Sequence, residues 1–189
     1  MRIAVLDIET TGINPNQGTI IEVGICLLDL ETGFISQLLD TTVREKHFET
    51  QYGGESLKTC WVFQNTDLTV ETIRNGPAWE DVVGKIQTIL NKFPITAFNK
   101  VFDLGFFKDR GLLIPHELPC PMIQATPVLK LPSEYKKKKW KWPKVQEAWD
   151  HFFPDQNTYK EIHRAYDDAM HEAEIILALY KIGAWKPEK

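Results

Sequence analysis

The sequence predicts an α/β fold: a mixed β-sheet, its first three strands antiparallel, flanked by α-helices. Two observations carry this. Apolar, β-branched runs crowd the first 43 residues, separated by short turn-like connections. After residue 79 the apolar positions fall at helical spacing, with one short strand between two helices. Three strands followed by alternating helix and strand is the pattern of a sheet covered by helices.

Residues 3–9 (IAVLDIE) form the first expected strand and residues 19–29 (TIIEVGICLLD) the second. Residues 34–43 follow across the turn LETG, where Gly33 can supply positive φ. Residues 47–66 show little periodicity and read as a long irregular connection. A short helix is expected over 69–74, closed by Asn75-Gly76. In residues 79–93, Val82, Val83, Ile86, Ile89, Leu90 and Phe93 mark one helix face. Residues 95–99 (ITAFN) read as a strand feeding a helix that ends at Gly111. Pro143 suits the first turn of a helix to about residue 153. A last helix, 165–182, has Gly183 just beyond its end. Neither an internal repeat nor a Gly/Ser-rich linker divides the chain, so residues 1–189 are read as one domain.

Composition narrows the function. Hydrophobic content of 43% and charged content of 25% are ordinary for a globular protein. The apolar start stops at Asp7, too early for a signal peptide, and no stretch has the length of a membrane span. Cys26, Cys60 and Cys120 are widely spaced, which argues for reduced thiols and against a disulfide framework or zinc site. The expected location is therefore the cytoplasm, with no membrane partner. The net charge of −4 argues against a nucleic-acid partner only weakly. Acids gathered around divalent cations have their local sign reversed by the metal.

Asp7 and Glu9 stand inside the first apolar run. Unpaired carboxylates are costly to bury, so a cation is expected near them. Residues i and i+2 of a strand share a face about 6.6 Å apart, within reach of one ion or a pair. Gly12 and Pro15 put both acids at the strand's end, where a cleft can open. Asp103 follows the short strand at the start of a helix, and His163 precedes Asp168 by five residues at the start of the last helix. Helical phase separates Asp168 from its neighbour. Asp168 shares a face with Glu172, Ile175 and Leu179, whereas Asp167 aligns with His171, Glu174 and Lys181 on the solvent side.

These residues fall into three motifs. Asp7-Ile8-Glu9-Thr10-Thr11-Gly12 is the first. Asn99, Phe102, Asp103 and Phe106 match N-x-x-F-D-x-x-F, and His163, Ala165, Asp168 and Ala169 match H-x-A-x-x-D-A. In this order, and over nearly the whole chain, they resemble the DEDD family of 3′–5′ exonucleases, histidine subgroup, of RNase H-like fold. Position 164 is Arg, which excludes the tyrosine subgroup.

The resemblance implies hydrolysis of phosphodiester bonds at the 3′ ends of single-stranded nucleic acid, DNA favoured over RNA, releasing nucleoside 5′-monophosphates. It implies two divalent cations, Mg²⁺ or Mn²⁺, about 3.5–4 Å apart. Asp7 would bridge both, Asp168 would bind the ion that activates water, Glu9 would hold that ion or its water, and Asp103 would act through water. His163 would be the general base. Thr10, Thr11, Asn99 and Phe102 would touch the substrate. An oligoribonuclease-like RNA enzyme, a proofreading subunit with a polymerase or repair partner, and a catalytically silent binding module stay open. The end of the chain shortly after Gly183 favours a stand-alone enzyme over a subunit.

The basic run 135–144 (YKKKKWKWPK) has two balanced readings. Its lysines and tryptophans could grip and stack single-stranded nucleic acid. Alternatively, Trp142 packs beside Pro143 to fix the next helix. Lys100 is expected to be solvated, and His47, His116, His151 and His171 to serve surface or packing roles.

Overall fold

The computed structural model describes residues 1–51, 57, 59–134, 139–156 and 159–187. Its sheet contains β1 (Arg2–Thr10), β2 (Ile20–Asp29), β3 (Ile35–Thr42) and β4 (Ile95–Thr96), in the order β3-β2-β1-β4. β1 and β2 are antiparallel, as are β2 and β3, and β4 runs parallel to β1. The β2–β3 turn closes as expected, with Gly33 at φ 75° and the Asp29 carboxylate accepting from the backbone N–H groups of Glu31 and Thr32. The strand expected over 95–99 shrinks to two residues. Leu118 donates to the Ile95 carbonyl and Ile95 to that of His116, after which the chain leaves the sheet for a helix.

Among the described residues the helices are α1 (Phe48–Gln51), α2 (Trp61–Asn65), α3 (Val70–Asn75), α4 (Trp79–Lys92), α5 (Lys100–Asp109), α6 (Pro121–Leu129), α7 (Val145–Phe152) and α8 (Ala165–Lys181). Thr69 caps α3, its hydroxyl accepting from the Thr72 N–H. Two expectations are corrected, and one helix is added. The region 47–66 holds α1 and α2, and its Phe48, Leu57, Cys60 and Val62 pack with Ile73 as a small core of their own. Helix α6 lies in a stretch for which the sequence predicts no element. Pro121 occupies the tolerated first turn, and Pro127 lies inside the helix. Pro143 lies outside α7, whose N-cap is Lys144. There the Glu147 carboxylate accepts from the Lys144 backbone N–H and pairs with Lys141.

β1 separates the two main cores. Its even positions, Ala4, Leu6 and Ile8, pack with Val23 and Ile25 of β2 under α4 and α5. Its odd positions, Ile3 and Val5, join Cys26 and Leu28 under α8. Small residues bring α8 close to the strands. Ala165, Ala169 and Ala173 are fully buried, and the Cys26 thiol donates to the Ala169 carbonyl at 3.3 Å. At Gly24 a Cβ would lie 2.2 Å from the Ala165 backbone, so glycine is required there. This contact seats the first turn of α8, which carries Asp168, against the sheet.

Candidate active site

Asp7 and Glu9 continue the odd-numbered face of β1 past Val5, at the end of the strand where the register with β2 shifts after Glu9. Asp103 lies in the first turn of α5 and Asp168 in the first turn of α8, both buried. Carboxylate oxygens of Glu9 and Asp168 and a ring nitrogen of His163 all lie within 4.8 Å of one another. Asp7 feels the charges of Glu172, Asp103, Glu9 and Asp168. Four acidic positions from three separate stretches of chain therefore meet at one place, as the motif spacing predicts. Asp167 is half-buried, its carboxylate 3.3 Å from His171 Nδ1. It thus differs from buried Asp168, as the helical phase predicts.

Burial and mutual repulsion act on all of these acids. Desolvation, then neighbouring carboxylates, raise Asp7 and Glu9 well above the usual range. Burial takes Asp103 to about 7, against the backbone N–H groups of Asp103 and Ile8, which favour its charged form. Asp168 also reaches about 7, through burial and the charges of Glu161 and Asp167. A fifth acid, Glu172, is buried one turn after Asp168 and raised in the same way, and its carboxylate accepts from the Phe98 N–H at 3.0 Å. Its place on the Asp168 face was legible in the sequence; its membership of the cluster was not.

His163 lies on the loop just before α8, two residues ahead of Ala165. Its backbone is left-handed, with φ 55°, a conformation uncommon outside glycine. The ring meets Trp61 of α2 edge-on, centroids 4.8 Å apart. Nearby, the Tyr159 hydroxyl lies 3.4 Å from the Asp168 carboxylate, and its ring stacks on His171 at 3.8 Å. Neither Trp61 nor Tyr159 belongs to a motif.

The model of the RNase_T exonuclease family matches residues 4–176, nearly the whole of this arrangement. The chain belongs to the RNase_T exonuclease family. The three motifs and their histidine fit its DEDDh subgroup. The chain is 27% identical over 177 residues to a DNA polymerase III PolC-type protein of Clostridium perfringens (strain 13 / Type A). That match covers 94% of this chain and 11% of the polymerase, so the chain spans about a tenth of that relative's length. Two solved structures share the fold at 15% identity. One is the nuclease domain of 3′hExo, a DEDDh family member, bound to rAMP, with a TM-score of 0.70, covering 100% of this chain and 96% of that one. The other is a full-length 3′-exonuclease, with a TM-score of 0.69, covering 97% of this chain and 62% of that one.

The site of this exonuclease fits the family's dependence on divalent metal. Carboxylate oxygens are the donors that hard ions prefer. Acids that burial and repulsion hold protonated ionise when a cation is placed among them.

The residues expected to touch substrate are placed unequally. Thr10 Oγ1 donates to the Gly12 carbonyl at 2.8 Å. Thr11 is buried, its hydroxyl taken up by the hydroxyl and backbone N–H of Thr19 and its own N–H donating to the Thr19 carbonyl at 3.0 Å. Asn99 and Phe102 line an apolar cleft of about 370 Å³ with Ile13, Val101, Ile123 and Trp142. Trp142 is 55% exposed and forms part of the cleft wall. Residues 135–138 of the basic run lie outside the described residues. Lys139 sits over the Trp140 ring at 5.1 Å. Lys100, expected to be solvated, instead bonds the Leu118 carbonyl at 2.7 Å and Glu117 at 2.8 Å. His47, His116 and His151 are exposed, and His171 packs against Tyr159.

Proposed function

We propose that this exonuclease hydrolyses phosphodiester bonds at the 3′ ends of single-stranded DNA and releases nucleoside 5′-monophosphates. The observation that carries the reading is the convergence of Glu9, Asp168 and His163 within 4.8 Å, with Asp7 and Asp103 beside them. Asp7, Glu9, Asp103 and Asp168 would hold two divalent cations, Mg²⁺ or Mn²⁺. When bound, these ions supply Lewis-acid stabilisation of the charge that develops on the phosphate.

The remaining work falls to the chain itself. His163 stands at the rim of the acid cluster and takes the proton of the attacking water, the role of a general base. The backbone around Thr10 and Thr11 holds the terminal nucleotide. Asn99 and Phe102 orient it from the apolar cleft, and Trp142 offers a ring for stacking. A silent binding module would have no need of the complete carboxylate set and its histidine.

The polymerase relative supports DNA as substrate and a polymerase or repair complex as partner. The rAMP bound to the 3′hExo nuclease domain supports RNA as the second reading. No helix among the described residues is long and apolar enough to cross a membrane. The three cysteines are buried and none is joined in a disulfide, which suits the reducing cytoplasm. The test uses 5′-labelled single-stranded DNA and RNA of one sequence with Mn²⁺. A ladder shortening from the 3′ end, faster on DNA and absent in Asp168→Ala, is expected. Faster shortening of RNA would replace the substrate, and cleavage of neither strand would remove the proposed activity.

A further inference from the structure

β2 carries an acid that no motif accounts for. Glu22 is 1% exposed and stands directly opposite Glu9 in the antiparallel register, its side chain on the same face. Like charges at such a position are adverse unless one of them is fully engaged. Glu22 is. Its Oε1 accepts from Arg164 Nε at 3.0 Å and from a terminal guanidinium nitrogen at 2.7 Å. Its Oε2 accepts from the Ala165 backbone N–H at 2.9 Å.

The Ala165 contact serves α8 directly. Arg164, the N-cap of that helix, makes no side-chain cap of its own. A carboxylate from another strand thus bonds one of the first N–H groups, where the helix dipole also favours an anion. Arg164 reaches on to Asp67 at 2.9 Å, but that partner is largely exposed, and such pairs contribute little. The buried half of the network is the half that matters.

His163 precedes this clamp by one residue. Its left-handed backbone persists only where the surroundings over-determine it. On one side Arg164 and Ala165 are bound to Glu22, and Ala165 is pressed onto Gly24. On the other, the ring rests edge-on against Trp61. A buried ion pair is weak support for stability in itself, whereas it is well suited to fixing a conformation.

We propose that Glu22 is the positioning residue of His163, acting through Arg164 to hold the imidazole in its place beside Glu9 and Asp168. This rests on the reading of His163 as the group that takes the proton. Partners one step removed from a reacting group typically account for about 10- to 100-fold in activity.

The experiment measures kcat, KM and Mn²⁺ binding for wild type, Glu22→Gln, His163→Ala and the double variant, with near-ultraviolet circular dichroism as the check of folding. The expected result is a kcat lower by about 10- to 100-fold in Glu22→Gln, with KM and Mn²⁺ binding unchanged. In the His163→Ala background the same change should add less than about twofold, since a residue acting only through His163 has nothing left to position. Equal slowing in both backgrounds, or loss of Mn²⁺ binding, would overturn the proposal. So would wild-type kinetics in Glu22→Gln when His163→Ala is slow. If His163→Ala is itself unimpaired, the failure lies with the general-base reading. Should Glu22→Gln not fold, Arg164→Lys, which keeps the charge and loses the fork, carries the same test. Unfolding of both variants would make the pair a fold element and refute the positioning role.

Discussion

The four motif acids and His163 are held by different means. Asp7 and Glu9 are consecutive same-face positions of a central strand, and Asp103 and Asp168 lie in first turns of helices packed on that sheet. Their places follow from regular structure and from burial. His163 sits on a loop in left-handed backbone, about a third exposed, and depends on side chains from α2 and β2 to keep its place. The acid cluster is thus set by regular structure, whereas the place of His163 is set by side chains that reach it from other elements. Removing an acid should therefore abolish ion binding, and removing His163 should not.

Asp168→Ala is expected to have the largest effect. Lewis-acid stabilisation is worth several kcal/mol, so turnover should fall about a thousand-fold or more while the circular dichroism spectrum is kept. A variant that kept its turnover would take Asp168 out of the cluster. His163→Ala should slow the chemical step by about 10²- to 10⁴-fold in single-turnover kinetics, the range of general acid–base catalysis.

Gly24→Ala sharpens the fold side of the comparison. Its methyl group would push the start of α8 off the sheet, against backbone that has no room to move. Overpacking of this kind costs about 1–3 kcal/mol, or about 2–4 °C of melting temperature for each kcal/mol in a chain of this size. An unchanged melting temperature would mean that α8 is seated more loosely than the structure shows.

The smallest effect concerns pH. In metal-free protein Asp103 and Asp168 keep their protons up to about pH 7, against 3.8 for an unperturbed aspartate. Between these values the folded state holds protons that the unfolded chain releases. Their contribution to stability is complete below about pH 4 and is lost as pH rises through 7. Thermal melts of metal-free protein should therefore fall in midpoint from pH 5 to pH 8. Saturating Mn²⁺, which binds the charged acids, should remove that slope. A metal-free midpoint that rises over the same range would contradict the account.

The acid cluster was legible in the sequence because regular structure repeats. A period of two put Asp7 and Glu9 on one face, and the helical period chose Asp168 over Asp167. The clamp on His163 was not legible, because it joins residues far apart in the chain: Glu22 with Arg164, and Trp61 with His163. No local pattern announces such a pairing. Region 47–66 failed for a related reason. Its short helices are stabilised by a small core shared with Ile73, not by a periodicity of their own. Helix α6 carries Pro121 in its first turn, where proline is tolerated, and Pro127 within it, a residue that weakens any helical pattern in the sequence.

The measurement that tests the contrast most directly is a Mn²⁺ titration, followed by electron paramagnetic resonance, of wild type, Asp168→Ala and His163→Ala, with turnover on single-stranded DNA measured on the same samples. Mn²⁺ should bind in wild type and in His163→Ala, binding should be lost in Asp168→Ala, and turnover should appear in wild type alone. Loss of Mn²⁺ binding in His163→Ala to the same extent as in Asp168→Ala would make the histidine an ion ligand and contradict the account.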